Sequence, residues 1–213
     1  MMQLHYFPGN ASMTPHMLLE ELGVPYERVL VDRTTNAHRS PEYLKLNPNG
    51  KIPVLVDGDL VLYDTGSIVL HLVDTHPQAG LAPALGTAER AQFYKWLLWL
   101  ANTLQAEMPL YFYSDRWADG PEGAAQVKKH AEAHIAGMID QLEGELARHG
   151  GPWFAGERFS ALDPYVFMLC RWTRGMQRPA RTLPHLADYL QRMLARPAVQ
   201  RVFANEGLSQ PYV

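Results

Sequence analysis

Residues 47 to 55 have the sequence Asn47-Pro48-Asn49-Gly50-Lys51-Ile52-Pro53-Val54-Leu55, and residues 64 to 68 have the sequence Asp64-Thr65-Gly66-Ser67-Ile68. Between them, two short apolar segments flank the turn Asp57-Gly58-Asp59, a pattern that predicts a β-hairpin. Pro53 opens the first strand at a place where a missing N–H is tolerated. The hairpin therefore presents two polar edges, one just before Pro53 and one at Asp64.

These two edges suit a short peptide that carries both a carboxylate and an amine. An extended peptide binds by pairing with exposed backbone, and the N–H and C=O of Ile52, ahead of Pro53, offer such a pairing. Asp64 and Thr65 lie where a helix is predicted to begin. Polar side chains at that place either cap the helix or offer donors to a carboxylate.

Outward from the hairpin, the first 78 residues alternate between strand and helix patterns. The resulting order is strand, helix, strand, helix, strand, strand, helix, which suits a thioredoxin-like sheet. Strands are predicted at residues 3–7, 29–31, 54–56 and 60–63, and helices at residues 13–22, 41–47 and 66–75. A polar loop is predicted at residues 32–39, and Ser40 is predicted to cap the second helix, with Pro41 at its first position.

The second half of the chain predicts only helices. A linker rich in proline and glycine spans residues 76–86. Ser160 and Asp163 form a predicted capping box, in which Ser160 accepts from the N–H three residues on and Asp163 reaches back. We therefore predict two domains, residues 1–78 and 87–213, the second all-helical. Its helices are predicted at residues 87–117, 123–148, 162–174, 183–194 and 198–205.

Composition excludes several classes of function. The 213 residues carry a formal charge of −3 and the pI is near 6.3, which argues against a nucleic-acid partner. The single cysteine, Cys170, excludes an intrachain disulfide and indicates a reducing compartment, so we expect a cytoplasmic protein. We predict no signal peptide and no membrane span. The closest histidine pairs lack a third ligand at suitable spacing, so no metal is predicted.

The hairpin segments resemble the glutathione-binding core of the glutathione S-transferase family, where an N-P-x-G-x-(I/V)-P segment and an acidic-Ser/Thr pair hold the tripeptide. The resemblance begins at Leu4-His5-Tyr6-Phe7-Pro8-Gly9 and returns at Gly156-Glu157-Arg158-Phe159-Ser160-Ala161-Leu162-Asp163, so it covers nearly the whole chain. It implies an α/β thioredoxin-like domain followed by an all-α domain, a homodimer, and a glutathione transferase. The implied reaction conjugates the glutathione thiolate to a small apolar electrophile.

The resemblance also implies roles for residues around the hairpin. Ile52 would pair its backbone with the cysteinyl residue of glutathione, and Pro53 would follow a cis peptide bond. Asp64 would bind the γ-glutamyl ammonium and Thr65 would donate to its carboxylate, although the family more often has Glu or Gln and Ser here. Lys51 and His38 resemble positions that face the glycine carboxylate.

Three side chains near the first helix are candidates to hold the sulfur as thiolate, because a free thiol of pKa about 8.5 is mostly protonated at neutral pH. Tyr6 matches the tyrosine of some classes, and Ser12 matches the serine-type classes. Asn10 is the third candidate, and the choice stays open. The segment also resembles the bacterial beta class, but Ala11 stands where that class has a cysteine. Mixed-disulfide chemistry is therefore not expected.

The electrophile is expected between the domains, against aromatic side chains from the first long helix. These are Tyr111, Phe112, Tyr113 and Trp117. Two alternatives remain. One is a related glutathione-dependent peroxidase or isomerase. The other is a non-catalytic glutathione-binding module, which the absence of the cysteine at Ala11 keeps open.

Overall fold

Four strands form one mixed sheet in the computed structural model, which describes all residues from Met1 to Val213. The spatial order is β2-β1-β3-β4, with β1 parallel to β2 and antiparallel to β3, and β4 antiparallel to β3. The strands are β1 (Met2–Tyr6), β2 (Tyr26–Leu30), β3 (Val54–Asp57) and β4 (Leu60–Tyr63). The predicted hairpin and the predicted thioredoxin-like sheet are both confirmed.

Three helices follow the strands of this sheet: α1 (Met13–Leu22), α2 (Pro41–Leu46) and α3 (Thr65–Thr75). Helix α1 has the predicted bounds and ends at Gly23, whose φ of 64° is in the left-handed region that glycine adopts without strain. Ser40 caps α2 as expected, because its side chain accepts a hydrogen bond from the Tyr43 N–H. The predicted loop before α2 contains a short 3-10 turn at Ala37–Arg39.

The helical part contains α4 (Ala88–Trp99), α5 (Gln105–Phe112), α6 (Gly120–His149), α7 (Leu162–Trp172) and α8 (Pro184–Leu194). One helix was predicted over residues 87–117, but a π-helical turn at Leu100–Leu104 joins α4 to α5, and the helix ends at Phe112. The backbone leaves the helix at Tyr113, where φ is −133°. Tyr113 and Trp117 therefore flank a 3-10 turn instead of lying on the long helix.

The predicted capping box is half correct. Asp163 reaches back to accept from the Ser160 N–H at 2.7 Å, as expected. The Ser160 hydroxyl, however, accepts from the Leu162 N–H, two residues on, because the Asp163 N–H donates to the Ser160 backbone carbonyl. Asp163 is fully buried and also accepts from the Phe154 N–H at 2.8 Å, so it ties the preceding loop to α7.

The last helix, α9 (Pro197–Asn205), packs against α1. Its segment, Arg192–Tyr212, belongs with Met1–Ala82 in one compact unit, and Pro83–Gln191 forms the other. The predicted boundaries of 1–78 and 87–213 place this segment in the helical domain instead. The attachment to the first unit follows from buried apolar residues of α9, Val199, Val202 and Phe203, and from ion pairs to α1. No helix combines the length and apolar character needed to cross a membrane.

Candidate functional site

Three chain segments meet at one end of the sheet. The register pairs His5 of β1 with Val54 of β3, and Val54 with Tyr63 of β4. The turn between β1 and α1, the Ile52-Pro53 segment and the start of α3 each lie within a few residues of these pairs. The three segments that the sequence indicates as candidate binding segments therefore lie together at this end of the sheet.

The segment before β3 is held by hydrogen bonds from buried side chains. The backbone carbonyl of Lys51 accepts from the Tyr43 hydroxyl and from the Asn47 side-chain amide, each at 2.8 Å. Gly50 has φ 58°, and a Cβ built there would lie 2.9 Å from the His38 carbonyl oxygen, so only glycine fits. The Asn-Pro-x-Gly sequence thus builds a fixed bend.

The peptide bond between Ile52 and Pro53 is cis, which confirms that part of the prediction. Ile52 is 9% exposed and belongs to a small apolar cluster with Val31, Tyr43 and Val54. This packing holds the bend against the first unit. No intramolecular hydrogen bond uses the backbone N–H or C=O of Ile52. This backbone can therefore pair with an extended peptide.

Asp64 and Thr65 begin α3 in different ways. Asp64 has φ 77°, and its Oδ1 accepts from the N–H groups of Gly66 at 2.9 Å and Ser67 at 3.2 Å, so it caps the helix. Thr65 is only 2% exposed, and its hydroxyl oxygen has no hydrogen-bond partner. A buried unpaired hydroxyl costs about 1–3 kcal/mol, and this one lies at the positive end of a helix dipole. Both features fit a carboxylate ligand.

Ser12 and Asn10 differ sharply in the turn before α1. Ser12 is fully buried, and its hydroxyl donates to the Phe7 carbonyl at 3.2 Å and accepts from the Phe7 N–H at 3.3 Å. It occupies the N-cap position without making a capping bond. Asn10 is partly exposed, and its Oδ1 accepts from the Ala11 N–H at 2.8 Å. That bond leaves the two N–H donors of the Asn10 amide unused.

Tyr6, the third sulfur candidate, lies at the end of β1. Its ring is partly buried, with its centroid 6.1 Å from that of His16 and the Arg28 guanidinium 5.4 Å above it. These contacts account for the ring as part of the packing of the first unit.

A buried carboxylate near this turn was not anticipated from the sequence. Glu206 follows α9, and its carboxylate accepts from the Gly9 N–H at 2.8 Å and contacts His16 Nδ1 at 2.7 Å. The two partners lie 197 and 190 residues away, so no local pattern could have revealed them.

The two candidates for binding the glycine carboxylate lie on the same bend. Lys51 is exposed and immediately precedes Ile52. His38 is partly buried in the 3-10 turn, and its backbone carbonyl is the one that lies close to Gly50. Arg39, which was not singled out, donates to the Asn49 carbonyl at 3.4 Å and is exposed beside them. This corner of the first unit is therefore rich in positive charge.

The predicted electrophile residues lie at the end of α5 and on either side of the 3-10 turn that follows it. The ring centroids of Tyr111 and Phe112 lie 5.2 Å apart, and those of Phe112 and Trp172 lie 6.2 Å apart. Phe112 is 45% exposed and Trp117 is 59% exposed. Tyr113 lies under the guanidinium of Arg116 at 4.4 Å. Large aromatic surface is thus open to a ligand on this unit.

A shallow, open cavity of about 360 Å³ also lies between helices α5 and α6, and most of its lining atoms are apolar. None of the four predicted aromatic residues lines it. No group of three His, Cys, Asp or Glu side chains is arranged to hold a metal ion.

A thioredoxin-like sheet with a cis-proline segment, followed in the same chain by an all-helical unit, defines the class of protein. The family model for the glutathione S-transferase N-terminal domain matches residues 2–74, and that for the C-terminal domain matches residues 117–192. The chain belongs to the glutathione S-transferase family. The predicted family and fold class are confirmed.

Individual relatives align over nearly the full length. A glutathione S-transferase from Xanthomonas campestris is 30% identical over 210 residues, covering 98% of this chain and all of the relative. Glutathione S-transferase 3 of Zea mays is 34% identical, covering 91% of this chain and 89% of the relative. The crystal structure of a Sulfitobacter glutathione transferase homologue with bound glutathione has a TM-score of 0.88 at 31% identity, covering 98% of this chain and 99% of the other.

Proposed function

We propose that this protein conjugates glutathione to a small apolar electrophile, and that the edge formed by Ile52, Asp64 and Thr65 holds the tripeptide. A glutathione transferase with glutathione as co-substrate was predicted, and this is confirmed at the level of the family by the relatives' names and the glutathione-bound neighbour.

The observation that carries the tripeptide site is the unpaired, buried Thr65 hydroxyl beside the free backbone of Ile52. Thr65 donates to the γ-glutamyl carboxylate, while the remaining carboxylate oxygen of Asp64 receives the ammonium. Ile52 pairs with the cysteinyl residue. Lys51 supplies positive charge for the glycine carboxylate, and His38 faces the same group.

For the sulfur we favour Asn10 over Ser12 and Tyr6. The only hydrogen of the Ser12 hydroxyl is already donated to the Phe7 carbonyl, so Ser12 would have to break a buried bond before it could donate to a thiolate. The Asn10 amide is oriented by Ala11 with its N–H donors free. A hydrogen bond to a charged atom contributes about 1.5–3 kcal/mol, and a helix N-terminus adds about 0.3–1 kcal/mol. Together these lower a thiol pKa by about two units, which requires about 2.7 kcal/mol.

The reaction is a nucleophilic substitution or addition at carbon. The glutathione thiol loses its proton to solvent, and the Asn10 amide stabilises the thiolate. A sulfur lone pair forms the new C–S bond, and with an aryl chloride the chloride departs with the electron pair of the C–Cl bond. Positioning both reactants supplies the rest of the acceleration. The aromatic side chains Tyr111, Phe112, Tyr113 and Trp117 are proposed to contact the electrophile, because an apolar surface with few polar groups suits an apolar acceptor.

The test compares three substrates and two variants. A chloro-nitroaromatic, a hydroperoxide and a maleyl substrate separate transferase, peroxidase and isomerase activity. Ultraviolet titration of bound glutathione reports its thiol pKa, which we expect to be lowered in the wild-type protein and to return toward the free value in Asn10→Ala. Ser12→Ala should instead lower the melting temperature. An unshifted thiol pKa in the wild-type protein would identify a binding module rather than an enzyme.

We also infer a homodimer in the cytoplasm. The edge strand β4 exposes Leu60 (43%), Val61 (38%) and Tyr63 (41%). In the other unit, α4 exposes Tyr94 and Leu98. Such apolar groups on a surface mark protein contacts. Sedimentation should give twice the mass of 24.1 kDa, and Leu98→Glu should shift it toward the monomer. A monomeric wild-type protein would exclude this inference.

A further inference from the structure

Glu206 makes a buried contact that the proposed reaction does not otherwise use. The residue is 6% exposed, and the side chains of both Glu206 and His16 are fully buried. One carboxylate oxygen lies 2.7 Å from His16 Nδ1 and the other accepts from the Gly9 N–H at 2.8 Å. A residue near the end of the chain thus holds both sides of the β1–α1 turn.

The hydrogen positions follow from the partners. His16 Nε2 is buried and has no hydrogen-bond partner, so a proton there would leave an unsatisfied donor. We therefore assign the proton to Nδ1, which donates it to Glu206. The ring is fixed further by Tyr6 and Tyr26, whose centroids lie 6.1 and 5.9 Å away.

Stability alone is a poor explanation for this carboxylate. Glu206 occupies the C-cap position of α9, where the helix dipole disfavours a negative charge. Burying a carboxylate is also costly, and apolar side chains of similar volume often stabilise as well or better. Two directed hydrogen bonds, in contrast, specify where the turn lies. Gly9 has φ 70°, so the backbone can pivot there unless it is held.

We propose that Glu206 is a positioning residue for sulfur activation. By holding the Gly9 N–H against α1 through His16, it sets the path of the turn that carries Asn10 and Ser12. This inference rests on the proposed function, because it assumes that glutathione sulfur is received at that turn. Glu206 does not touch the substrate; it acts through the backbone of Gly9.

The chain offers a matched control on the same two elements. Arg196, just before α9, forms a two-point ion pair with Glu21 near the end of α1, at 2.6 and 2.7 Å. This pair also fastens the C-terminal segment to α1, but Glu21 lies near the end of α1, whereas the turn precedes its start. Glu21→Gln therefore weakens the attachment without touching Gly9.

The experiment measures the thiol pKa of bound glutathione and the conjugation kinetics for the wild-type protein, Glu206→Ala, Glu206→Asp, Glu206→Gln and Glu21→Gln. We expect Glu206→Ala to lose about 10- to 100-fold in kcat/KM, the scale of a misplaced catalytic group, and to shift the thiol pKa toward its free value. Glu206→Asp, one methylene shorter, cannot span both partners and should shift it in the same direction. If the alanine variant does not fold, the aspartate variant tests the proposal in its place.

Glu206→Gln is the rescue variant, because its amide oxygen can still accept from the Gly9 N–H, the bond through which Glu206 is proposed to act. Its nitrogen can donate to His16 Nδ1 only after the imidazole proton has moved to Nε2, which is buried without a partner, so we expect this variant to be less stable than wild type. We expect its thiol pKa to stay near the wild-type value, and Glu21→Gln to lower the melting temperature without moving the thiol pKa. If the alanine and aspartate variants match Glu21→Gln in both readouts, or if glutamine fails to rescue, the inference is overturned. A wild-type protein with no thiol shift overturns the proposed function instead.

Discussion

At the scale of single residues, contacts distant in sequence decide which polar groups are free to bind a ligand. Ser12, Asn10 and Thr65 all carry small polar side chains near a helix start. In the structure, the Ser12 hydroxyl donates to the Phe7 carbonyl. The Asn10 amide oxygen accepts from the Ala11 N–H, and the Thr65 hydroxyl has no hydrogen-bond partner. Similar residue types in similar local positions thus have different chemical availability.

The Thr65 hydroxyl gives a prediction that separates binding from stability. Thr65→Val keeps the shape but removes a buried group that has no partner, so we expect unchanged or slightly higher stability. Glutathione affinity should fall by about 1.5–3 kcal/mol, the contribution of a hydrogen bond to a charged group. Calorimetry and thermal unfolding measure the two effects. Thr65→Ser is the control that retains the hydroxyl, and equal affinity of the valine and wild-type proteins would remove Thr65 from the site.

At the scale of elements, Asp64 both caps α3 and is proposed to bind the ammonium of glutathione. Asparagine retains the capping oxygen and tolerates positive φ better than most residues. We therefore expect Asp64→Asn to preserve stability but weaken glutathione binding, because the negative charge is lost. Asp64→Ala should additionally destabilise the protein by about 1 kcal/mol, the usual contribution of an N-cap. If asparagine binds glutathione as tightly as aspartate, the ammonium contact is wrong.

Helix α7 depends on Asp163 in the same way. Its carboxylate accepts from the Phe154 N–H, the Ser160 N–H and the Ser160 hydroxyl, so Asp163→Ala leaves three buried donors without this acceptor. At about 1–3 kcal/mol for each, we expect a loss of at least 3 kcal/mol in the free energy of unfolding. Chemical denaturation measures it, with Asp163→Asn, which keeps one acceptor, as the milder control. A loss below about 1 kcal/mol would mean that these donors find water.

The same carboxyl predicts a pH dependence. Burial raises the pKa of Asp163 to about 6, above the unfolded-state value near 3.8. The folded state then binds more protons than the unfolded state, so this contribution is fully present below about pH 4 and is lost as the pH rises through about 6. The stability advantage of the wild-type protein over Asp163→Asn should therefore shrink across that window. A constant difference would show that Asp163 stays ionised throughout.

At the scale of the whole molecule, the C-terminal segment completes the first unit. Val199, Val202 and Phe203 of α9 are buried, and each such side chain contributes about 1.5–3 kcal/mol on burial. A chain ending after Ala195 should therefore lose hydrogen-exchange protection in α1 and melt at a lower temperature. A chain ending after Leu208, which keeps α9 and Glu206, is the control and should behave nearly as wild type. Unchanged protection of α1 in the shorter chain would contradict this assignment.

The sequence by itself determined the local features of this protein: the bounds of α1, the Ser40 cap of α2, the hairpin, the bend before Pro53 and the membership of its family. Each depends on residues close together in the chain, where helix periodicity, capping and the special φ of glycine act directly. Only the tertiary structure decided that Glu206 and α9 join the first unit, that the Ser12 hydroxyl is occupied, and that the long helix ends at Phe112. These outcomes depend on which distant groups share a buried space, and burial is a property of the packed molecule rather than of any local stretch.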